Sequence, residues 1–315
     1  MMRKICRALP LLLWASALYA LEEPVEVTRF GSNPGNLRML KYVPPQTATG
    51  APLVVVLHGC GQSAAGHAVA SGWIKLSMRW NVLLLLPEQK RRNNLTRCFN
   101  WFRSEDIQRD SGEVLSIRQM IDRMIADHGV DQARIFVTGV SGGGAMAGAL
   151  LATHPEMFAG GALIATVPYG WADGLFQAIA CMRASEESSA RGWPMPVRGA
   201  SNAGGSWPII SIWHGGADRI VKPANAERLV QQWTDAHGID ADADTQKTIS
   251  GHVRNTYQDS SGKDLVEMYL ISNMGHGMPV DPGDGPDRCG EESYFFPDAD
   301  ICASYHIGLF WGLGS

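Results

Sequence analysis

A single serine stands among glycines at the point where the chain changes from strand-forming to helix-forming residues. Residues 135–138 are β-branched and aromatic, which is typical of a buried strand, and residues 145–152 are rich in alanine and leucine, which favour a helix. Ser141 lies between them in the sequence Gly-Val-Ser-Gly-Gly. A tight corner of this kind exposes the serine at a helix N-terminus, where unpaired backbone N–H groups can hold an oxyanion. The pattern predicts a nucleophile that attacks an ester carbonyl.

Two other interpretations of this corner exist. The serine could cap the helix in a closely packed turn, or the glycines could hold a phosphate. No Lys-Ser or Lys-Thr pair follows the glycines, which argues against a phosphate loop. The nucleophile interpretation therefore depends on finding partners for Ser141 elsewhere in the chain.

A serine hydroxyl needs a base that takes its proton and an acid that orients the base. When the serine lies at such a strand-to-helix turn, an aspartate or glutamate and then a histidine follow it along the chain, each in the loop after a later strand. Asp218 follows the apolar stretch 208–215, and His276 follows the apolar stretch 264–272, both in Gly-rich loops. The other histidines lie at predicted helix or strand ends or inside the last helix. We predict a triad of Ser141, Asp218 and His276.

The oxyanion of the reaction intermediate needs a second backbone donor from the loop after an earlier strand. The segment Leu-His-Gly-Cys-Gly-Gln-Ser at 57–63 is that loop. The backbone N–H groups of Cys60 and Gly61 are the candidates, acting with that of Gly142.

The elements that position these residues alternate as they do in an α/β protein. Continuous apolar runs at 52–59 and 82–88 predict strands that are covered on both faces, and further strands are expected at 162–165, 208–215 and 264–272. Helical patterns lie between and after them, at 64–80, 111–129, 224–237 and about 300–312. Residues 171–208 show little periodicity and predict an irregular excursion, either a partial cover of the site or a plain surface loop. No repeat or linker is present, so we expect one catalytic domain over 21–315 without a separate substrate-binding module.

Composition excludes several classes of protein. The chain has 315 residues, of which 45% are hydrophobic and 18% charged, so it can form a large core. Its net charge is −4, and it has no cluster of basic and aromatic residues, so we expect no nucleic acid as partner. No metal-binding spacing of cysteine or histidine occurs, and we expect neither metal nor cofactor.

The N-terminus predicts export. Residues 1–20 form a signal peptide, with Arg3, Lys4 and Arg7 before an apolar run that is too short to span a bilayer, and cleavage after Ala17 or Ala20. The protein would then be secreted, to the periplasm or beyond, without a membrane span. Five cysteines remain after removal of residues 1–20, and in an exported protein two pairs and one free thiol are expected. Spacing alone leaves fifteen arrangements open.

Beside these residues, the chain resembles the polyhydroxybutyrate depolymerase family of secreted esterases, which is itself similar to feruloyl and acetylxylan esterases. The matching segments run from about residue 50 to the C-terminus: LHGCGQSA, LLPEQ, RCFNWF, GVSGGGAMA, VPYG, ISIWHGGADRIV, MGHGMP and CGEESYFFPDADICASYHIGLFWGL. The resemblance implies an α/β-hydrolase fold with a mostly parallel sheet, the triad named above, and Cys60 and Gly142 as oxyanion donors. It also implies the disulfides Cys60–Cys98 and Cys289–Cys302, with Cys181 left unpaired.

The predicted substrate is an ester of hydroxyalkanoate oligomers or polyester, and the alternative is an acyl-decorated plant polysaccharide. Polymer-degrading members of the family commonly carry a binding module that we do not expect here, which makes turnover of crystalline polymer doubtful. Trp101, Trp171 and Trp207 are candidates for an aromatic substrate groove, although each could equally pack in the core, and Trp171 would narrow the cleft. A secreted binding protein that keeps the fold without activity is a remote alternative, and a peptidase or a lipase on the same scaffold is another.

Overall fold

The strands of the computed structural model form one sheet. The structure describes residues 23–184, 197–201 and 206–314, so the predicted signal peptide lies outside the described residues. Ten strands occur in this part of the chain: β1 (Val25–Val27), β2 (Arg38–Tyr42), β3 (Leu53–Leu57), β4 (Leu83–Glu88), β5 (Ile135–Val140), β6 (Gly160–Ile164), β7 (Ile209–Gly215), β8 (Thr245–Ile249), β9 (His252–Gln258) and β10 (Asp264–Ile271). Their spatial order is β1-β2-β4-β3-β5-β6-β7-β10-β9-β8.

The six central strands run parallel to one another, in the spatial order β4, β3, β5, β6, β7, β10. Antiparallel pairing adds β2 and β1 at one edge of the sheet and β9 and β8 at the other. The helices of the described residues are α1 (Ala64–Ala70), α2 (Trp73–Trp80), α3 (Ser104–Ile107), α4 (Gly112–His128), α5 (Gly142–Thr153), α6 (Leu175–Met182), α7 (Ala224–His237) and α8 (Ala303–Phe310). None of them is long and apolar enough to cross a membrane.

Alternating residues of the central strands pack against helices on opposite faces of the sheet. Val55 of β3 lies in a core with residues of α4, α5 and α7. Its neighbours Val54 and Val56 lie in a second core with residues of α1, α2 and α8. Because both faces are covered, the strands appear in the sequence as continuous apolar runs. This arrangement confirms the predicted α/β-hydrolase fold.

The structure corrects two predicted elements. The helix expected over 64–80 is interrupted at Gly72, whose φ is +82° and whose Cβ, if it had one, would lie 2.6 Å from the backbone nitrogen of Gly290. The region 171–208 is not wholly irregular, because it contains α6. This helix has eight residues and one polar position, Gln177, and so short an apolar run cannot be assigned to a helix or a strand from its pattern alone. Residues 185–196 and 202–205 of that region lie outside the described residues.

Candidate active site

The corner between β5 and α5 places Ser141 in a strained backbone conformation. Its φ and ψ are 56° and −121°, a region that non-glycine residues rarely adopt. Its backbone N–H donates to Ile164 O at the end of the neighbouring strand β6 (2.9 Å). A Cβ on Gly143 would lie 2.4 Å from Leu57 O, so the approach of this helix to β3 requires glycine. Ser141 occupies the N-cap position, but its side chain makes no capping hydrogen bond, which leaves the hydroxyl free for another partner.

Three side chains far apart in the sequence form one hydrogen-bonded chain. Ser141, Asp218 and His276 follow β5, β7 and β10, whose carboxyl ends lie at the same edge of the parallel sheet. The Nε2 atom of His276 lies 3.0 Å from Ser141 Oγ, and its Nδ1 atom lies 2.7 Å from Asp218 Oδ2. An ionised Asp218 only accepts, so Nδ1 of His276 carries the proton and Nε2 accepts from the serine hydroxyl. This is the arrangement that a general base requires.

The carboxylate of Asp218 is buried and held by donors on both oxygens. Its Oδ1 accepts the backbone N–H groups of Ile220 (2.8 Å) and Val221 (2.9 Å). Burial by itself would raise the pKa of Asp218, but hydrogen bonds from His214 and His276 outweigh it, and the pKa lies well below its ordinary value. The carboxylate is therefore ionised throughout the neutral and mildly acidic range, as an acceptor for His276 must be.

His214 is a member of this cluster that the sequence analysis assigned only to shaping the loop. It lies at the end of β7 and is fully buried, with Nε2 2.9 Å from Val221 O and 3.5 Å from Asp218 Oδ2. Both neighbours are acceptors, so Nε2 carries a proton and faces the carboxylate. The signal was present in the sequence, since His214 precedes Asp218 by only four residues, with Gly215 and Gly216 between them.

The predicted oxyanion donors lie close together, Cys60 in the loop after β3 and Gly142 at the start of α5. The position of a Cβ on Gly142 would be 3.0 Å from Cys60 Sγ, so the two residues nearly touch. Neither backbone N–H has a protein acceptor among the described residues, which leaves both available to an oxyanion. The neighbouring Gly61 N–H donates instead to Thr96 O (2.7 Å), so it is not a free donor.

Two cavities meet at Ser141. The larger has a volume of about 390 Å³ and extends past Trp101 and Phe102 to α6, and the smaller, of about 200 Å³, is bounded by His276 and Phe295. Cys60, Ser141 and Met182 line both. An ester bound with its carbonyl at Ser141 can place its acyl part in one cavity and its alcohol part in the other. Phe102, Met182 and Phe295 were not identified from the sequence, because nothing in a local pattern tells which apolar side chains face a cleft.

Comparison with known proteins agrees with this geometry. The model of the family Esterase PHB depolymerase matches residues 37–259. The chain belongs to this family. It is 44% identical over 300 residues to poly(3-hydroxyalkanoate) depolymerase C of Paucimonas lemoignei, a match that covers 95% of this chain and 72% of that protein.

More distant relatives are esterases too. The chain is 28% identical over 286 residues to feruloyl esterase B of Talaromyces funiculosus, covering 87% of this chain and 79% of that one. The solved structure of acetyl xylan esterase from Aspergillus awamori superimposes with a TM-score of 0.75 over 93% of this chain and 100% of that chain. At 21% identity this last similarity shows the fold alone. Taken together, family and relatives make the protein a carboxylic ester hydrolase.

The three tryptophans proposed for a substrate groove have different positions in this esterase. Trp101 lines the larger cavity. Trp171 is buried behind the cavity wall, in a cluster with Ala178 and Val221, and lines neither cavity. Trp207 is partly buried, packs against the core residue Trp233 and lines neither cavity either. The structure therefore does not bring the three rings into one groove.

Both disulfides implied by the family resemblance are present. Cys60–Cys98 ties the oxyanion loop to the segment that carries Trp101, and Cys289–Cys302 ties the chain beyond His276 to the start of α8. The remaining described cysteine, Cys181, is buried, and its thiol donates to Trp171 O. Burial raises the pKa of the Cys181 thiol to about 11.

A buried polar network holds the segment opposite the oxyanion loop. Glu113 of α4 is fully buried and accepts hydrogen bonds from the backbone N–H (2.8 Å) and side-chain amide (2.9 Å) of Asn100 and from the amide of Gln89. The backbone N–H of Gln89 donates to His58 Nε2 (3.1 Å), and His58 Nδ1 donates to Gly59 O (2.8 Å). Burial lowers the pKa of His58, so it stays neutral and serves as a fixed link beside the oxyanion loop.

One group of carboxylates could hold a metal ion among the described residues, and it lies outside both cavities. Asp281, Asp298 and Asp300 have carboxylate oxygens within 4.8 Å of one another. Arg288 already donates to Asp281 Oδ1 (2.8 Å), and two of the three residues are exposed.

Proposed function

We propose that this protein is a secreted serine esterase that acts through an acyl-enzyme intermediate. The observation that supports this proposal most directly is the hydrogen-bonded chain from Ser141 through His276 to Asp218, located where two cavities meet. The strained backbone of Ser141 and the two free N–H groups beside it support the same reaction.

In the proposed mechanism, His276 Nε2 takes the proton of Ser141 while Oγ attacks the ester carbonyl. The negative charge that develops on the carbonyl oxygen is held by the N–H groups of Cys60 and Gly142. His276 then gives its proton to the leaving alcohol, and the acyl group stays on Ser141. A water molecule, deprotonated by His276, attacks the acyl-enzyme and releases the acid, while Asp218 stabilises the imidazolium throughout.

The substitution Ser141→Ala tests this mechanism. It should abolish hydrolysis of p-nitrophenyl esters and leave the thermal unfolding temperature close to that of the wild type. Because the hydroxyl makes no capping hydrogen bond, its loss removes no support for α5. A folded variant that still hydrolyses the ester at the wild-type rate would refute the assignment of Ser141. Labelling of the wild type by a fluorophosphonate probe, absent in the variant, would in turn exclude an inactive binding protein.

For the substrate we propose hydroxyalkanoate oligomers or polyester, on the strength of the 44% identical depolymerase. The second candidate is an acylated plant polysaccharide, which the feruloyl esterase relative and the aromatic wall of Trp101 and Phe102 support. Parallel assays on hydroxybutyrate oligomers and on methyl ferulate distinguish them. A higher kcat/KM for methyl ferulate would overturn the first candidate.

We further propose that residues 1–20 are removed on export and that residues 21–315 act as one catalytic domain. The two disulfides support an oxidising destination. N-terminal sequencing of the protein recovered from the periplasm or the medium should find a chain that begins at Leu18 or Leu21, the residues after Ala17 and Ala20. An uncleaved chain in the cytosol would overturn this part of the proposal.

A further inference from the structure

The charged side chains that line the cavities around Cys60 are all arginines. A third, shallow cavity of about 410 Å³ lies on the other side of Cys60 and is lined by Arg91 and Arg97, and the larger cavity beside Ser141 is lined by Arg103. No aspartate or glutamate lines any of these three cavities among the described residues. Acidic residues nevertheless outnumber basic ones in the whole chain, 31 to 27. The cleft is therefore a local basic region on an acidic protein.

The sequence of the loop that forms this side of the cleft is the source of the charge. Residues 90–103 contain five cationic residues and no acidic one. The loop is held in place by the Cys60–Cys98 disulfide and by the hydrogen bonds of Asn100 to Glu113. Its cations are thus carried by an anchored segment and not by a free chain end.

Arg103 is the cation best placed to act on a substrate. Its side chain is exposed at the larger cavity and makes no hydrogen bond or ion pair with any described residue. Its charge acts on the nearby carboxylates of Asp106 and Glu113, but their hydrogen bonds go to other groups: Asp106 accepts the backbone N–H of Glu113, and Glu113 accepts from Asn100 and Gln89. A guanidinium that makes no hydrogen bond within the protein can present its planar set of donors to a carboxylate.

The proposed substrate carries such a group. A linear hydroxyacyl oligomer ends in a free carboxylate, and each hydrolysis of an internal ester creates another. We propose that Arg103 binds the terminal carboxylate of short hydroxyacyl oligomers and makes them better substrates than neutral esters of the same length. This inference rests on the proposed esterase function and specifies the ionic form of its substrate. A basic cleft also raises the local concentration of an anionic substrate.

The test compares two trimers of 3-hydroxybutyrate that differ only at the carboxyl end, one a free acid and the other its primary amide. Cleavage of the internal esters is followed by chromatography at low salt. We expect kcat/KM of the wild type for the acid to exceed that for the amide by about fivefold or more, as an ion pair at a partly exposed site allows. Arg103→Gln should bring the ratio of the two values close to one, and Arg103→Lys should retain part of the preference. Arg118→Gln, which changes an exposed arginine of α4 outside the cavities, is the matched control.

Added salt gives a second measurement, because the preference for the acid should fall as ionic strength rises while the rate on the amide changes little. Equal rates of the wild type on acid and amide, or a preference that Arg103→Gln leaves unchanged, would overturn the inference and leave the esterase proposal standing. If the wild type cleaves neither trimer but hydrolyses other esters, the proposed hydroxyacyl substrate fails, and this inference fails with it.

Discussion

The substitution Asp218→Asn tests whether the carboxylate does more than fill space. The backbone N–H groups of Ile220 and Val221 both point at Oδ1, so the amide oxygen of an asparagine must take that position. The amide NH₂ then occupies the position of Oδ2, 2.7 Å from His276 Nδ1. A donor at this place forces Nδ1 to accept, which moves the imidazole proton to Nε2. In that tautomer His276 cannot take the proton of Ser141.

The expected loss in kcat depends on how much free energy it would cost the asparagine amide to turn over and so restore the active tautomer of His276. Turning the amide over would set its NH₂ against two backbone donors, and each buried group left unsatisfied costs about 1–3 kcal/mol, or about 2–6 kcal/mol for the pair. The comparable substitution in serine proteases lowers kcat by about 10⁴. We expect a loss of roughly 10³- to 10⁴-fold in kcat for p-nitrophenyl butyrate, with little change in KM.

The assay needs a fold control and a matched variant. Asp242→Asn makes the same chemical change at an exposed position, and it should leave both kcat and the unfolding temperature unchanged. Circular dichroism shows whether the Asp218→Asn protein is folded. A folded variant that retains more than about one tenth of the wild-type kcat would refute the tautomer argument. Because the pKa of Asp218 is well below its ordinary value, Asp218 should stay ionised in mildly acidic solution, and any loss of activity there should have another cause.

Three further predictions concern the surroundings of the site. Gly143→Ala would place a Cβ 2.4 Å from Leu57 O, so it should lower activity and reduce the free energy of unfolding by about 1–3 kcal/mol. Gly148→Ala in the same helix is the control, because its Cβ would lie 3.9 Å from the nearest atom, Leu163 Cδ2, and its unfolding temperature should stay close to that of the wild type. Burial raises the pKa of Glu113 to about 8 from an ordinary value of 4.5, so the folded state retains a proton that the unfolded chain releases. The free energy of unfolding should therefore fall as the pH rises through this interval. In Glu113→Gln, the free energy of unfolding measured by urea titration at a series of pH values should depend less on pH than it does in the wild type. An equal dependence on pH in the two proteins would contradict the assignment. Cys181, buried and with a pKa of about 11, should resist iodoacetamide in the native protein and react after unfolding, as mass spectrometry of its peptide would show.

Much of the framework could be predicted because its signals are local. The corner around Ser141 is recognisable from the change in residue type on its two sides, and α4 ends at Gly129, whose φ is +59°, as the sequence predicted. The covered strands appear as apolar runs since both of their faces are buried. α6 escaped prediction because an apolar run of eight residues is compatible with either a strand or a helix. The interruption at Gly72 escaped it too, since the reason is the close approach of Gly290 from a distant part of the chain.

The sequence by itself determined which residue types were available for the chemistry and the order in which they follow the strands. Ser141, Asp218 and His276 could be chosen for this reason, because a parallel sheet brings the carboxyl ends of its strands to one edge whatever their separation in the chain. Only the tertiary structure decided which side chains face the cleft and which face the core. Trp101 lines the cleft, whereas Trp171 is buried and Trp207 packs against Trp233 away from both cavities. The physical reason is that the direction of a side chain depends on what packs against it, and packing between distant segments leaves no mark on the local pattern.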